Sequence, residues 1–206
     1  MKKLLLSLAV MITMLAGASA QDYYGSIYWS VATPTGQFRS FVNETSVSGF
    51  GIDVQWWASD HISGGLVLGY NLWSDVYRGV TQQFQYNELQ GAINGTQVHT
   101  MNSFTMMLGG RYLFGGSRDV RPFVGLAAGT ITSSQVIDVS LVRFQETNWH
   151  FGVAPSLGLL IPMGYNSMMD LSARFSYAMP SGQALYGASE NTLTFWSINA
   201  GFTFGN

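Results

Sequence analysis

The stretch TLTFWSINAGFTFGN, residues 192 to 206, decides the fold of this chain. Alternate residues are apolar: Trp196, Ile198, Ala200, Phe202 and Phe204. The residues between them are small and mostly polar: Ser197, Asn199, Gly201 and Thr203. Because successive side chains of a β-strand point to opposite faces, this pattern predicts a strand with two unlike faces. The face that meets water determines which class of protein this is.

Seven further segments with a comparable alternation precede this strand. They span residues 23–32, 49–58, 62–73, 102–114, 120–132, 149–161 and 169–179. The connections after the second, fourth and sixth segments are short, whereas the others are long. The sequence therefore predicts an all-β fold, an eight-stranded antiparallel up-and-down barrel with short turns at one rim and long loops at the other. The predicted long loops are residues 33–48, 74–101, 133–148 and 180–191.

The N-terminus, MKKLLLSLAVMITMLAGASA, has the three zones of a secretory signal peptide. Lys2 and Lys3 form a basic start, an apolar run follows, and Ala18-Ser19-Ala20 resembles a cleavage site. The alternative is a transmembrane anchor, but the apolar run is short for a span of about 20 residues. We therefore expect a signal peptide at residues 1–20 and one barrel domain at residues 21–206.

The composition favours a membrane barrel over a soluble one. Charged residues make up 10% of the chain, against about 25% in soluble domains, and no Lys follows the leader. A soluble barrel would turn its polar face to water, yet the polar face here is built from Gly, Ser, Thr and Asn. The chain lacks Cys, which excludes disulfides and a Cys nucleophile, and no basic patch points to nucleic acid.

Aromatic residues gather near both ends of the predicted strands, as expected for the two interfaces of a membrane. Those assigned to the interfaces are Trp29, Trp56, Tyr70, Phe104, Tyr112, Trp149, Tyr177, Trp196, Phe202 and Phe204. The apolar face then meets lipid, and the polar face lines a narrow lumen. An even strand number places both termini on the short-turn side, which we expect to be the periplasm.

A few charged and titratable side chains fall on the predicted lumenal face. They are Asp53, Arg111, Asp170 and Arg174, with His150 nearer the outer rim. Because an unpaired buried charge is costly, we expect the two acids and two arginines to pair across the lumen as a polar plug. The alternative is that each charge contacts only lumenal water.

Three stretches carry a resemblance to a known family: GSIYWSVATPTGQF (25–38), RPFVGLAAGTI (121–131) and SINAGFTF (197–204). They resemble the small eight-stranded outer-membrane β-barrels, which include the OmpA transmembrane domain, OmpX and OmpW, and stand-alone outer-membrane barrel domain proteins. The resemblance implies a location in the bacterial outer membrane and says little about activity. Many members end on an aromatic residue, whereas Gly205 and Asn206 follow Phe204 here.

Catalytic, cofactor and metal sites are not predicted. His61 and His99 have no clustered ligand partner. His150 lies near Ser133, Ser134 and Glu146 in sequence, but the alternation turns it inward, away from a lipid substrate. No nucleophile motif occurs.

The long loops remain as functional candidates, because binding residues concentrate on loops held by rigid scaffolds. Loop 74–101 carries Tyr77, Phe84, Tyr86 and Leu89. The first functional reading is a structural or adhesive barrel that is not an enzyme, is surrounded by outer-membrane lipid and binds an extracellular protein or surface ligand through its loops. The second is a narrow channel for small or hydrophobic solutes, and the third is a lipid-modifying enzyme. We expect a monomer, because a closed barrel leaves no sheet edge that requires a partner.

Overall fold

The computed structural model describes residues 23–86, 89–116, 119–139, 142–164, 167–181 and 192–205, with the backbone alone for 80–86, 89–94, 139 and 142. The predicted signal peptide lies outside these residues. Eight strands and one short helix are found within them, and their bounds follow in chain order. They are β1 (Tyr23–Thr35), α1 (Phe38–Phe41), β2 (Ser46–Ser59), β3 (Ile62–Tyr86), β4 (Leu89–Leu113), β5 (Arg121–Val139), β6 (Val142–Pro162), β7 (Ser167–Ala178) and β8 (Leu193–Gly205).

Each strand pairs antiparallel with its neighbour in sequence, and β8 closes the barrel on β1. A row of paired residues that starts at Gly25 on β1 passes through all eight strands and returns to β1 at Thr35. Such a stagger corresponds to a strand tilt of about 40° and to an interior that side chains can fill. The predicted fold, an eight-stranded antiparallel up-and-down barrel, is confirmed.

The strand β8 shows which face looks outward. Ile198 is 69% exposed and Phe202 is 52% exposed, whereas Asn199 and Thr203 are buried. The apolar residues therefore cover the outside of the barrel and the small polar residues point inward. This is the reverse of a soluble barrel, and it builds a wall for contact with lipid.

Two of the predicted loops, 74–101 and 133–148, are wrong. Strands β3 and β4 stay paired as far as Tyr86 and Leu89, and β5 and β6 stay paired as far as Val139 and Val142. Segments rich in Gln, Asn and Thr continue as strands because each hairpin is already in register where it leaves the barrel. A bulge between Tyr77 and Val80 interrupts the β3–β4 ladder, with Gly79 in the left-handed region at φ 67°.

The other two predicted loops, 33–48 and 180–191, are described only in part or contain other elements. Within 33–48, β1 continues to Thr35, α1 follows, and β2 begins at Ser46. Most of 180–191 lies outside the described residues. The rim that carries the β3–β4 and β5–β6 extensions is called the arm rim below, and the opposite rim, with the short connections, is called the turn rim.

Candidate functional site: the closed lumen and the protruding sheet

Four buried charged side chains form one connected group in the lumen, here called the ionic layer: Asp53, Arg111, Asp170 and Arg174. The Arg111 guanidinium donates one hydrogen bond to Asp53 and one to Asp170, with 3.1 Å between Nη1 and Oδ2. Arg174 also binds Asp53, with 3.1 Å between Nη2 and Oδ2. Two positive and two negative charges thus neutralise each other where water is scarce.

Tyr28 extends this layer toward another strand. Arg174 Nη1 donates to the Tyr28 hydroxyl at 2.9 Å, and that hydroxyl donates to the Leu68 carbonyl at 3.2 Å. The Tyr28 ring lies where a side chain at Gly51 would have to be. A glycine at position 51 therefore makes room for the ring that supports Arg174. The sequence pattern did not single out Tyr28, although its inward position in β1 could have indicated it.

Some buried polar atoms beside the ionic layer have no hydrogen-bond partner in the described part of the chain. Among them are Asp53 Oδ1, Asp170 Oδ1 and Gln55 Nε2. A cavity of about 10 Å³ adjoins Gln55, Arg111 and Arg174. That space suits about one water molecule, so this part of the lumen has room for a bridging water rather than for a solute.

The lumen is less polar than the sequence predicted, because apolar layers lie on both sides of the ionic layer. Toward the arm rim, buried apolar side chains form the outer apolar layer. It includes Trp73, Met101, Met107, Ile131, Leu193 and Phe195. Toward the turn rim, Leu113, Phe123 and Leu160 form a smaller cluster with Trp57 and Met168 packed against it.

His150 and Ser133 form a buried pair near the arm rim. His150 Nδ1 is 3.0 Å from the Met179 carbonyl oxygen, which can only accept, so Nδ1 carries the proton. Nε2 is therefore free to accept from Ser133 Oγ at 2.8 Å. Ser134, which lies on the outward face, bonds with Gln145 and Thr147 instead. Because Ser133 and His150 are both buried, the pair holds β5 against β6 and β7 and offers no open nucleophile.

The ten aromatic residues assigned to membrane interfaces all lie on the outward face. Eight of them are exposed: Trp29, Phe104, Tyr112, Trp149, Tyr177, Trp196, Phe202 and Phe204. Trp56 and Tyr70 are half-buried. Four strands run beyond a registered row formed by Tyr70, Phe104, Thr132 and Trp149.

The parts beyond this row, residues 71–86, 89–103, 133–139 and 142–148, are called the protruding sheet. The four residues proposed for loop binding, Tyr77, Phe84, Tyr86 and Leu89, belong to its strands β3 and β4 and not to a loop. Of these, Tyr77 has a described side chain, which packs against His99 with ring centroids 4.7 Å apart. The side chains of Phe84, Tyr86 and Leu89 lie outside the described part.

Within the described residues, no group of three or more His, Asp or Glu side chains could hold a metal ion. No described helix is long and apolar enough to cross a membrane.

Solved structures with a similar backbone identify the fold. Neisserial surface protein A (NspA) superposes with a TM-score of 0.54 and 12% sequence identity, over 90% of this chain and 97% of that chain. The chain has the fold of the small outer-membrane β-barrels. The outer membrane protein OprG from Pseudomonas aeruginosa is similar too, with a TM-score of 0.50 and 12% identity over 91% of this chain and 96% of that chain. No protein-family model and no curated protein matches this chain in sequence.

Proposed function

We propose that this outer-membrane barrel is a closed, surface-binding protein that captures an extended strand of an extracellular partner along the edge of its protruding sheet. The arm rim faces the outside of the cell and the turn rim, with both termini, faces the periplasm. The protein has no catalytic role in this proposal. Outer-membrane lipid surrounds the barrel below the protruding sheet.

The observation that carries the proposal is the open edge of β6. Strand β7 pairs with β6 only from Gly152 to Pro162, with one further bond from the Met179 amide to the Phe151 carbonyl. Arg143, Gln145 and Thr147 therefore have β5 on one side and, in the described part of the chain, no paired strand on the other. An unpaired strand edge presents a row of free amides and carbonyls that another strand can join.

The direction of the free backbone groups follows from Phe151. Its carbonyl points toward β7, and in an antiparallel pair the amide and carbonyl of one residue point the same way. Every second residue shares that direction, so Arg143, Gln145, Thr147 and Trp149 direct their backbone groups to the open edge. Arg143 is ion-paired with Asp138, with 2.6 Å between Nε and Oδ1. Glu146 is the other charged residue of the segment 142–148.

The experiment that tests this is Thr147→Pro, with Thr147→Val as the matched control. Proline removes an amide that belongs to the open edge and not to the β5–β6 ladder, and proline is tolerated at such positions. Cells that display each variant are tested for adhesion to surfaces coated with fibronectin, laminin or collagen and to a layer of the same cells. We expect the unaltered protein and Thr147→Val to adhere and Thr147→Pro to lose adhesion, with folding verified by the heat-dependent gel shift.

Equal adhesion of the two variants would rule out strand capture at this edge. No adhesion by the unaltered protein would rule out the surface-binding function on these partners. The alternative function, a narrow channel for solutes, is not favoured, because the ionic layer and the outer apolar layer fill the lumen. We expect no solute flux from vesicles that contain the refolded protein, and steady flux would contradict a closed lumen.

A further inference from the structure

The segment from Phe38 to Asn43, here called the lid, closes the mouth of the lumen at the arm rim. Phe38 is 4% exposed and Val42 is fully buried. The Phe38 ring meets Trp73 edge-on, with centroids 5.0 Å apart, and Trp73 in turn contacts Phe195. The lid therefore places Phe38 and Val42 on the outer apolar layer, with Phe41 partly buried against it, while Arg39 and Ser40 are exposed.

Two titratable side chains of the protruding sheet hold the lid in place. His99 Nδ1 lies 3.0 Å from the Phe41 carbonyl oxygen and donates to it, and the two rings stack with centroids 5.0 Å apart. Asp75, the cross-strand partner of His99, accepts a hydrogen bond from the Asn43 amide at 3.2 Å. β3 and β4 thus hold the lid at its C-terminal end, through Asp75 and His99.

We propose that the lid is a pH-sensitive cover, which His99 holds down in its neutral form and releases when it gains a proton. This proposal does not rest on the surface-binding function. The ring is enclosed between Phe41 on the lid and Tyr77 on β3, and its neighbour on β5 is the uncharged Ile137. The polar groups at the ring are the Phe41 carbonyl, Asp75 and the Gln97 side-chain oxygen, which lies 3.3 Å from Nε2. An added proton would place a cation in this partly buried site, and burial opposes that charge.

The charged groups around His99 decide how strongly its protonation is opposed. Burial lowers the pKa of His99 below its usual 6.5, while the Phe41 carbonyl and Asp75 oppose that shift. Asp75 is shared, because it also binds Tyr77, whose pKa is raised to about 12, mainly by burial. Two further charged residues of the described chain lie on or next to the lid: Arg39, which binds Asn43, and Glu44, which acts on Tyr77.

The direction of the effect follows from this lowered pKa. A released lid leaves His99 in water with an ordinary pKa near 6.5. In the closed state His99 binds a proton more weakly than in the released state. The contribution of neutral His99 to lid closure is therefore complete above about pH 6.5 and is lost as the pH falls through the pKa of His99 in the closed state. Acidification therefore favours the open lid.

Because the chain contains no cysteine, a single introduced thiol reports on the lid. Val42→Cys places the thiol under the lid, just after α1, and Ser40→Cys places it on the exposed side of α1 as the control. A water-soluble maleimide is added to the refolded protein, and the labelling rate of Val42→Cys is divided by that of Ser40→Cys at each pH. The division removes the pH dependence of the thiol itself.

We expect this ratio to rise severalfold between about pH 7.5 and about pH 5.5, where an ordinary histidine gains its proton. In the His99→Gln background the amide can still donate to the Phe41 carbonyl but does not titrate, so the ratio should stay constant. A ratio that is flat with His99 present, or that still rises in His99→Gln, would overturn the proposal. Phe38→Cys serves as the second buried reporter if Val42→Cys does not fold.

Discussion

Arg111 is the side chain whose loss should cost the barrel most. It bridges Asp53 and Asp170, and all three side chains are buried. In Arg111→Met, Asp53 keeps Arg174, but Asp170 loses its guanidinium partner and the ionic layer changes from neutral to one net negative charge. Because an uncompensated buried charge remains, we expect the free energy of unfolding to fall by about 3–5 kcal/mol.

A second change tests the cause of that loss. Asp170→Asn in the Arg111→Met background restores neutrality at nearly constant volume, and we expect it to recover about 2 kcal/mol or more, since the stranded charge is removed. The assay is urea unfolding in lipid vesicles, followed by tryptophan fluorescence and by gel mobility. A cost below about 1 kcal/mol for Arg111→Met, or no recovery in the double variant, would refute an ion-paired lumen.

Two further predictions concern packing and lipid contact. Gly51→Ala should lower the free energy of unfolding by about 1–3 kcal/mol, because the new methyl group would collide with the Tyr28 ring. Gly25→Ala, where nothing lies within 4 Å of the added carbon, should be nearly neutral in the same urea assay. Leu108→Arg, on the lipid-facing wall, should cost about 2–4 kcal/mol. Val76→Arg, equally exposed but on the protruding sheet, should cost little, and equal costs at the two sites would contradict the assigned membrane boundary.

The barrel itself was predictable from period-two alternation, because a wall between lipid and a narrow lumen imposes opposite demands on successive residues. The strands of the protruding sheet were not predictable from this alternation. We place the membrane boundary at the row of Tyr70 and Phe104. Beyond it we expect neither sheet face to meet lipid, so alternation is no longer required, and Gln, Asn and Gly suggest a loop. The ladder nevertheless continues to Tyr86 and Leu89, because a hairpin in register adds backbone hydrogen bonds whatever its side chains.

In the lumen, too, some features were predictable from the sequence and others were not. The inward direction of Asp53, Arg111, Asp170 and Arg174 followed from their place in each strand, and their balanced charge suggested pairing. Which acid meets which arginine depends on the stagger that brings β2, β4 and β7 to the same depth, and no local pattern reveals a stagger. Phe38 was missed as a lumenal residue because it falls in the predicted loop 33–48. Trp73, the last residue of the predicted third strand, was not assigned to the lumen either.

By itself, the sequence determined the number of strands, their antiparallel order and the two unlike faces, because all three depend on local alternation and on connection length. Only the tertiary structure decided that Arg111 joins two carboxylates, that Phe38 of α1 packs on the outer apolar layer and that the described pairing of β6 with β7 stops near Gly152. Those features arise from contacts between residues far apart in the chain. Their geometry depends on barrel closure and on strand register, which act on the whole wall at once.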